Sequence, residues 1–235
     1  MLKSILISGA SSGIGHALCE HLIELGDYDI FGMDRKPQAS FFDEPKYKHL
    51  CCDLLEFESV KNEIEASSIL KIPLHTLVNC AGVMPSSLIS ALDPKCALDA
   101  FSLNCVAPLY LAKLLLKPLA RSKQSLIINI TSIAAELDIP GEIVYGATKA
   151  ALKHASEAMA IELARFGIRV NCIAPALVMT PMTCHLTDSQ REYMRSKQSL
   201  KGEVTPKDVA MAIKYVIDGP ATISGSTLYA GGIAR

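Results

Sequence analysis

Short apolar runs rich in β-branched residues alternate along this chain with longer stretches of helical periodicity. The runs are Ser4–Ser8, Asp29–Met33, Lys46–Cys51, Thr76–Asn79, Ser125–Ile130, Arg169–Ile173 and Thr227–Ala230. The helical stretches are Ile14–Leu25, Phe57–Ser68, Cys96–Ala120, Ile143–Phe166 and Pro206–Ile217. Several runs (SILIS, TLVN, LIINI) are apolar almost throughout, the pattern of strands covered on both faces. Strand–helix alternation predicts parallel strands joined by right-handed crossovers. The fold expected is therefore α/β: a doubly wound, seven-stranded, mostly parallel sheet with helices on both faces. Such sheets take their ligands at the carboxyl ends of the strands.

No linker, repeat or low-complexity tract divides the 235 residues, so 1–235 reads as one domain. Asp34–Tyr47 is polar and contains proline, but is short enough for a loop. Met179–Val204 is less regular, with a helical pattern around Asp188–Gln198. It follows a strand end, where a substrate lid over 179–204 would lie. Half the residues are hydrophobic and 20% are charged, which supports a sizeable core and excludes disorder. The 23 basic and 24 acidic residues nearly cancel, so nothing drives sequence-independent binding to nucleic acid. No apolar run reaches the roughly 18 residues of a membrane span. Leu109–Leu119 is interrupted by Lys113 and Lys117, and Ile5–Ile7 is too short for the apolar core of a secretory signal. The eight cysteines form no CxxC pair and no zinc-like spacing with histidine. They read as reduced, mostly buried thiols of a cytoplasmic protein. The six histidines show no ligand pattern either, and no metal is expected.

Ser8-Gly9-Ala10-Ser11-Ser12-Gly13-Ile14-Gly15 follows the first strand and opens the first helix. Small residues let a backbone approach a pyrophosphate, and the free N–H groups of a helix start point at the anion. The spacing is GxxxGxG, and alone it could be no more than a tight strand–helix connection. Its context is a first strand–helix unit, with Asp34 closing the second strand nineteen residues after Gly15. An acid about 20 residues on is what a ribose 2′-hydroxyl needs. A carboxylate there accepts from ribose hydroxyls and repels a 2′-phosphate, which favours NAD over NADP. Arg35 complicates this, since it could pair with that phosphate, and the two residues could also be a solvated turn pair.

Tyr145-Gly146-Ala147-Thr148-Lys149 opens the Ile143–Phe166 stretch. A spacing of four puts phenol and ammonium on one helix face. A free phenol titrates near 10, and a neighbouring ammonium favours its phenolate. YxxxK alone is also what an ordinary amphipathic helix shows. Ser132, thirteen residues before Tyr145, ends the run LIINITS, where a hydroxyl can hold a substrate oxygen. Asn104, in the apolar FSLNCVAP, needs partners if buried. It either positions a water that links Lys149 to solvent or distorts its helix while bonded to backbone.

With these motifs in order, the chain resembles the compact, single-domain branch of the short-chain dehydrogenase/reductase family, over almost its whole length. The resemblance rests on SGASSGIG (8–15), Asp34, CDLL (51–54), NCAG (79–82), Asn104, ITS (130–132), YGATK (145–149) and NCIAPALVMT (171–180). It implies a Rossmann-like fold. It implies that Tyr145 is the acid and base, that Lys149 lowers its pKa and binds the nicotinamide ribose, that Ser132 stabilises the reacting oxygen and that Asn104 maintains the proton relay. Around the cofactor it implies Gly9, Ser11, Ser12, Gly13, Ile14 and Gly15 at the pyrophosphate. Asp34 and Arg35 fall at the adenosine ribose, Asp53 and Leu54 at the adenine, Asn79, Ala81 and Gly82 along the cleft, and Pro175, Val178 and Thr180 at the nicotinamide. Departures from the family pattern are Ser8 for threonine, and Ala135 and Ala176 where glycine is usual. A homo-oligomer, tetramer or dimer, is implied as well.

The function expected is hydride transfer between a nicotinamide cofactor, NAD in preference to NADP, and a secondary alcohol or ketone. The alternatives are a non-catalytic dinucleotide-binding redox sensor or scaffold, and an epimerase or dehydratase on the same scaffold. The substrate expected is a partly apolar small molecule, met by Val83–Leu88, Ala134–Ile143 and Ala176–Met194, including Met84, Leu137, Ile143, Leu177, Met179 and Met182. Glu136 and Glu142 lie nearby, in directions the sequence does not give.

Overall fold

A computed structural model describes residues 2–36, 44–184 and 186–234. Much of the connection read as an Asp34–Tyr47 loop lies outside them. Seven strands, β1 (Lys3–Ser8), β2 (Tyr28–Asp34), β3 (Tyr47–Cys51), β4 (Thr76–Asn79), β5 (Leu126–Ile130), β6 (Arg169–Pro175) and β7 (Thr227–Ala230), form one sheet in the order β3-β2-β1-β4-β5-β6-β7. Every pairing is parallel, where the sequence led us to expect a mostly parallel sheet.

Alternate residues of each strand feed opposite cores, which is why the runs look continuously apolar. Leu6, Phe31, Leu77, Ile127 and Val170 pack on one face with Val60 and Ile64 of α2 (Phe57–Ala66) and with Leu111, Leu115 and Leu119 of the next helical layer. Ile5, Ile7, Ile30, Val78, Ile128 and Ile173 pack on the other face. Their partners are Leu18 and Leu22 of α1 (Gly13–Leu25) and Val209, Ile213 and Ile217 of α8 (Pro206–Asp218). Thr205 caps α8 through a reciprocal bond with Asp208, and Pro206 fills its first turn.

The stretch read as one helix over Cys96–Ala120 is divided into α3 (Pro94–Phe101), a π-turn (Ser102–Val106), α4 (Ala107–Leu114) and α5 (Leu116–Arg121). Proline explains the break. Pro108 has no N–H to give the carbonyl of Asn104, four residues back, so the chain widens there and Ala107 N–H reaches Ser102 instead. The remaining helices are α6 (Ile143–Leu163) and α7 (Asp188–Ser196), the latter within the 179–204 segment.

The strand order reverses direction between β1 and β4, which opens a crevice at their carboxyl ends. Among the described residues, no helix is long and apolar enough to cross a membrane. The thiols are less buried than expected. Cys19, Cys52 and Cys172 are buried, but Cys51, Cys96 and Cys184 are exposed, Cys51 because it ends the edge strand β3.

Candidate active site

The crevice is a cleft of about 320 Å³ running from the start of α1 to the start of α6. At one end, the turn after β1 is compressed. Gly9 has φ +71°, and a side chain there would reach 2.8 Å from the Ala81 main-chain nitrogen. A Cβ on Gly15 would collide with the Gly9 carbonyl. Only glycine permits this packing, and it draws the first turn of α1 up to the cleft. Ser12 precedes α1 with extended backbone and makes no capping bond, and the first turn has no acid. The amides of the helix start are thus left for an anion.

Asp34 lies where β2 ends. Its Oδ1 accepts from Lys36 N–H at 3.0 Å and its Oδ2 from Ser11 N–H at 3.4 Å. Arg35 extends into solvent, with Nη1 3.9 Å from Asp53 Oδ2. Lys36 also lines this end, and the sequence reading overlooked it.

The other end holds the titratable groups. Tyr145, Lys149 and Ser132 all line the cleft. Burial pushes the Tyr145 phenol up to about 12, opposed by the neighbouring Ser132 hydroxyl and reinforced by Glu142. Lys149 donates to the Ile130 carbonyl at 2.8 Å, and its Nζ lies 5.8 Å from the Tyr145 ring centroid. Burial brings the Lys149 ammonium down to about 8.

Asn104 lies behind the cleft wall, fully buried and within bonding reach of the Val83 backbone and Thr148. Gly82 makes this possible, because a Cβ there would be 2.9 Å from Asn104 Oδ1 and 3.5 Å from Lys149 Nζ.

Gly9, Ser12, Gly13, Ile14, Gly15, Asp34, Arg35, Asp53, Leu54, Ala81, Gly82, Pro175, Val178 and Thr180 border the same cleft. Three expected residues do not line it. Asn104 stands behind it, Ser11 turns its N–H to Asp34, and Asn79 is buried between strands, its Nδ2 donating to Asn129 Oδ1 at 2.7 Å. Asn79 therefore braces β4 against β5 from within the sheet. The departures at Ala135 and Ala176 fit without strain, since neither has a positive φ.

Met84, Ala134, Ile139, Leu177, Leu186 and Met194 cluster around Tyr145, with Leu137 and Met182 packed against them. Ile143 and Met179, expected here, are exposed instead. Ile143 is two residues before Tyr145, about 200° round the helix, so the two side chains leave on opposite sides. Met182 lies where it was expected, whereas Leu186 and Met194 were not singled out within 176–194 because their direction depends on how 179–204 folds back. Thr183 organises that turn, donating to Val178 O at 2.8 Å and accepting from Thr180 N–H at 3.0 Å. Among the described residues, no group of three or more His, Cys, Asp or Glu gathers to hold a metal ion.

Comparison with known proteins agrees with this architecture. The family model described as short chain dehydrogenase matches residues 3–191. The 3-oxoacyl-[acyl-carrier-protein] reductase FabG of Rickettsia prowazekii is 32% identical over 234 residues, covering 98% of this chain and 95% of its own. The FabG of Haemophilus influenzae is 30% identical, covering 98% and 97%. Among solved structures, 4-hydroxyisoleucine dehydrogenase complexed with NADH superposes with a TM-score of 0.85 at 29% identity, covering 98% of this chain and 97% of that one. ElxO with NADP bound gives 0.85 at 26% identity, covering 97% of each. The chain belongs to the short-chain dehydrogenase/reductase family and is an NAD(P)-dependent oxidoreductase acting between CH–OH and carbonyl groups.

Proposed function

We propose that this enzyme interconverts a secondary alcohol and a ketone with NAD in preference to NADP, using Tyr145, Ser132, Lys149 and Asn104. The observation that carries the reading is the placement of the Ser132 and Tyr145 hydroxyls on one cleft, Ser132 near enough to hold the phenol down, with Lys149 buried beside them.

The cleft fits a dinucleotide. The uncapped start of α1 and the close turn at Gly9 and Gly15 suit a pyrophosphate, Asp34 suits adenosine ribose hydroxyls, and Asp53 and Leu54 suit an adenine. When bound, the nicotinamide gives or takes a hydride at the substrate carbon. The rest falls to the protein. Ser132 and Tyr145 donate to the substrate oxygen and polarise its carbonyl. In reduction Tyr145 gives up its phenolic proton, and in oxidation its phenolate takes one. Lys149 binds ribose hydroxyls and, as an ammonium, favours phenolate. Asn104 holds the wall beside Lys149, through which the proton is restored. The preference for NAD rests on Asp34, whose carboxylate accepts from the main-chain N–H groups of Ser11 and Lys36, while Arg35 reaches toward Asp53 instead. Lys36 at the same end pulls the other way.

The 179–204 segment covers the substrate side as a lid, with Leu186 and Met194 turned inward. The chain works as a single domain over 1–235. A homo-oligomer, dimer or tetramer, accounts for exposed Leu98, Phe101, Val106 and Ile161 on the helical layer. Eight free thiols suit a cytoplasmic enzyme.

The test is Tyr145→Phe. It should bind NADH with wild-type affinity and lose at least about 10³-fold in turnover across a ketone panel. Full turnover by that variant overturns the assignment.

A further inference from the structure

Two acids flank the substrate side, and the structure separates them. Glu136 is held in place: Lys153 Nζ lies 2.9 Å from its Oε1, and the Tyr229 hydroxyl donates to the same oxygen at 2.9 Å. Glu142 is 3% exposed, and among the described residues neither carboxyl oxygen has a hydrogen-bond partner. The Ser86 hydroxyl is near enough to offset part of the rise that burial causes, but at neither oxygen does the geometry amount to a hydrogen bond. A buried carboxyl left without partners is unfavourable whether charged or neutral. The catalytic scheme above gives it nothing to do.

Its surroundings point to a ligand. Glu142 is fixed by its backbone, with its N–H on Ile139 O at 3.0 Å and its carbonyl accepting from Gly146 at 2.8 Å. Ser87 N–H donates to Gly141 O at 2.8 Å and ties the segment after Gly82 to the same turn. Between this turn and α7 runs a groove of about 150 Å³, lined by Ile139, Pro140, Glu142, Leu186, Gln190 and Met194. Ile139, Leu186 and Met194 also belong to the cluster around Tyr145, so the groove backs onto the side chains that pack against the reaction centre. Glu142 is close enough for its charge to act on the phenol.

We propose that Glu142 determines substrate specificity by accepting from a hydrogen-bond donor, a hydroxyl or an ammonium, that the substrate carries a few bonds from its reacting carbon. The enzyme then selects short hydroxy- or amino-substituted carbonyl compounds over aliphatic ones. A purely hydrocarbon substituent would keep the carboxyl unpartnered, whereas a donor satisfies it. The inference rests on the oxidoreductase reading and names the substrate class of that site.

The experiment uses methyl ketones that differ only at the far end, which is CH3, OH or NH3+, with two to five methylenes between. For each, kcat/KM with NADH is measured, and the affinity of the matching alcohols for the enzyme–NAD+ complex is measured by calorimetry. At one spacer length, the donor-bearing compounds should exceed the methyl compound at least tenfold in both readouts. Glu142→Leu should abolish that ratio, chiefly through KM. Glu142→Gln should keep a hydroxyl preference and lose an ammonium preference. It also serves if the leucine variant fails to fold, with circular dichroism as the check. Equal or better use of the methyl compounds at every length overturns the proposal, as does a donor preference that survives both substitutions. If no ketone turns over, the proposed ketone and secondary-alcohol reading fails, and calorimetry still decides whether Glu142 selects donors.

Discussion

The side-chain amide of Asn104 grips both main-chain groups of Val83. Its Oδ1 accepts from Val83 N–H at 2.8 Å and its Nδ2 donates to Val83 C=O at 2.8 Å. The same Nδ2 reaches Thr148 Oγ1 at 2.9 Å. One buried amide thus joins the segment after β4, the π-turn and the first turns of α6, all beside Lys149.

Asn104→Leu strips the Val83 N–H and C=O of this partner, while Thr148 keeps its bond to the Tyr145 carbonyl. Each buried orphan costs about 1–3 kcal/mol, not additively. Urea denaturation should show a loss of about 2–4 kcal/mol, and turnover should fall roughly 10²-fold as the wall beside Lys149 shifts. An unchanged midpoint with unchanged kcat would show that the grip is dispensable.

Lys149 destabilises the fold it serves. Burial lowers its ammonium from 10.5 to about 8, so the folded state holds that proton less tightly than the unfolded chain. The penalty is complete below about pH 8, shrinks as pH rises and is gone above the unfolded value. At one pH unit per 1.36 kcal/mol it is about 3 kcal/mol. Lys149→Met should therefore raise the melting temperature of the cofactor-free protein by several degrees at pH 7 while abolishing turnover. The gap should narrow between pH 8 and 10.5. Scanning calorimetry across that range measures it, and a gap independent of pH would contradict burial as its source.

The phenol imposes direction on the pH profile. Oxidation requires phenolate and reduction requires phenol, so alcohol oxidation should accelerate with pH and ketone reduction should slow. The neighbouring Ser132 hydroxyl holds the phenol down. Ser132→Ala should shift the rising limb of oxidation to higher pH and reduce kcat about 10²-fold. Steady-state profiles in both directions test this, and an unmoved limb would remove Ser132 from the pair.

Cofactor choice turns on Asp34. Asp34→Ser removes the carboxylate that opposes a 2′-phosphate and leaves Arg35 and Lys36 beside it. The ratio of kcat/KM for NADH to that for NADPH should fall at least about 10²-fold. A wild-type enzyme that already prefers NADPH would reverse the assignment.

The inner strands were legible because they are apolar on two sides, a signal that survives without tertiary information. The glycine turn and the Tyr145–Lys149 spacing were legible because both are local. The division of Cys96–Ala120 was not read, although Pro108 carried the signal, since proline four residues after Asn104 removes that carbonyl's helical donor. The difference between Glu136 and Glu142 could not be read locally. It depends on Tyr229, which lies 93 residues from Glu136 along the chain. The inward faces of Leu186 and Met194 likewise follow from how 179–204 folds back.

The bond from Tyr229 to Glu136 fastens the C-terminal strand β7 to the loop that follows Ser132. During synthesis the ribosome must release residue 229 from its exit tunnel before that loop gains its brace. A nascent polypeptide carrying the whole Tyr145–Lys149 motif, but not yet β7, therefore has its chemical groups while that loop still lacks its tie to Tyr229.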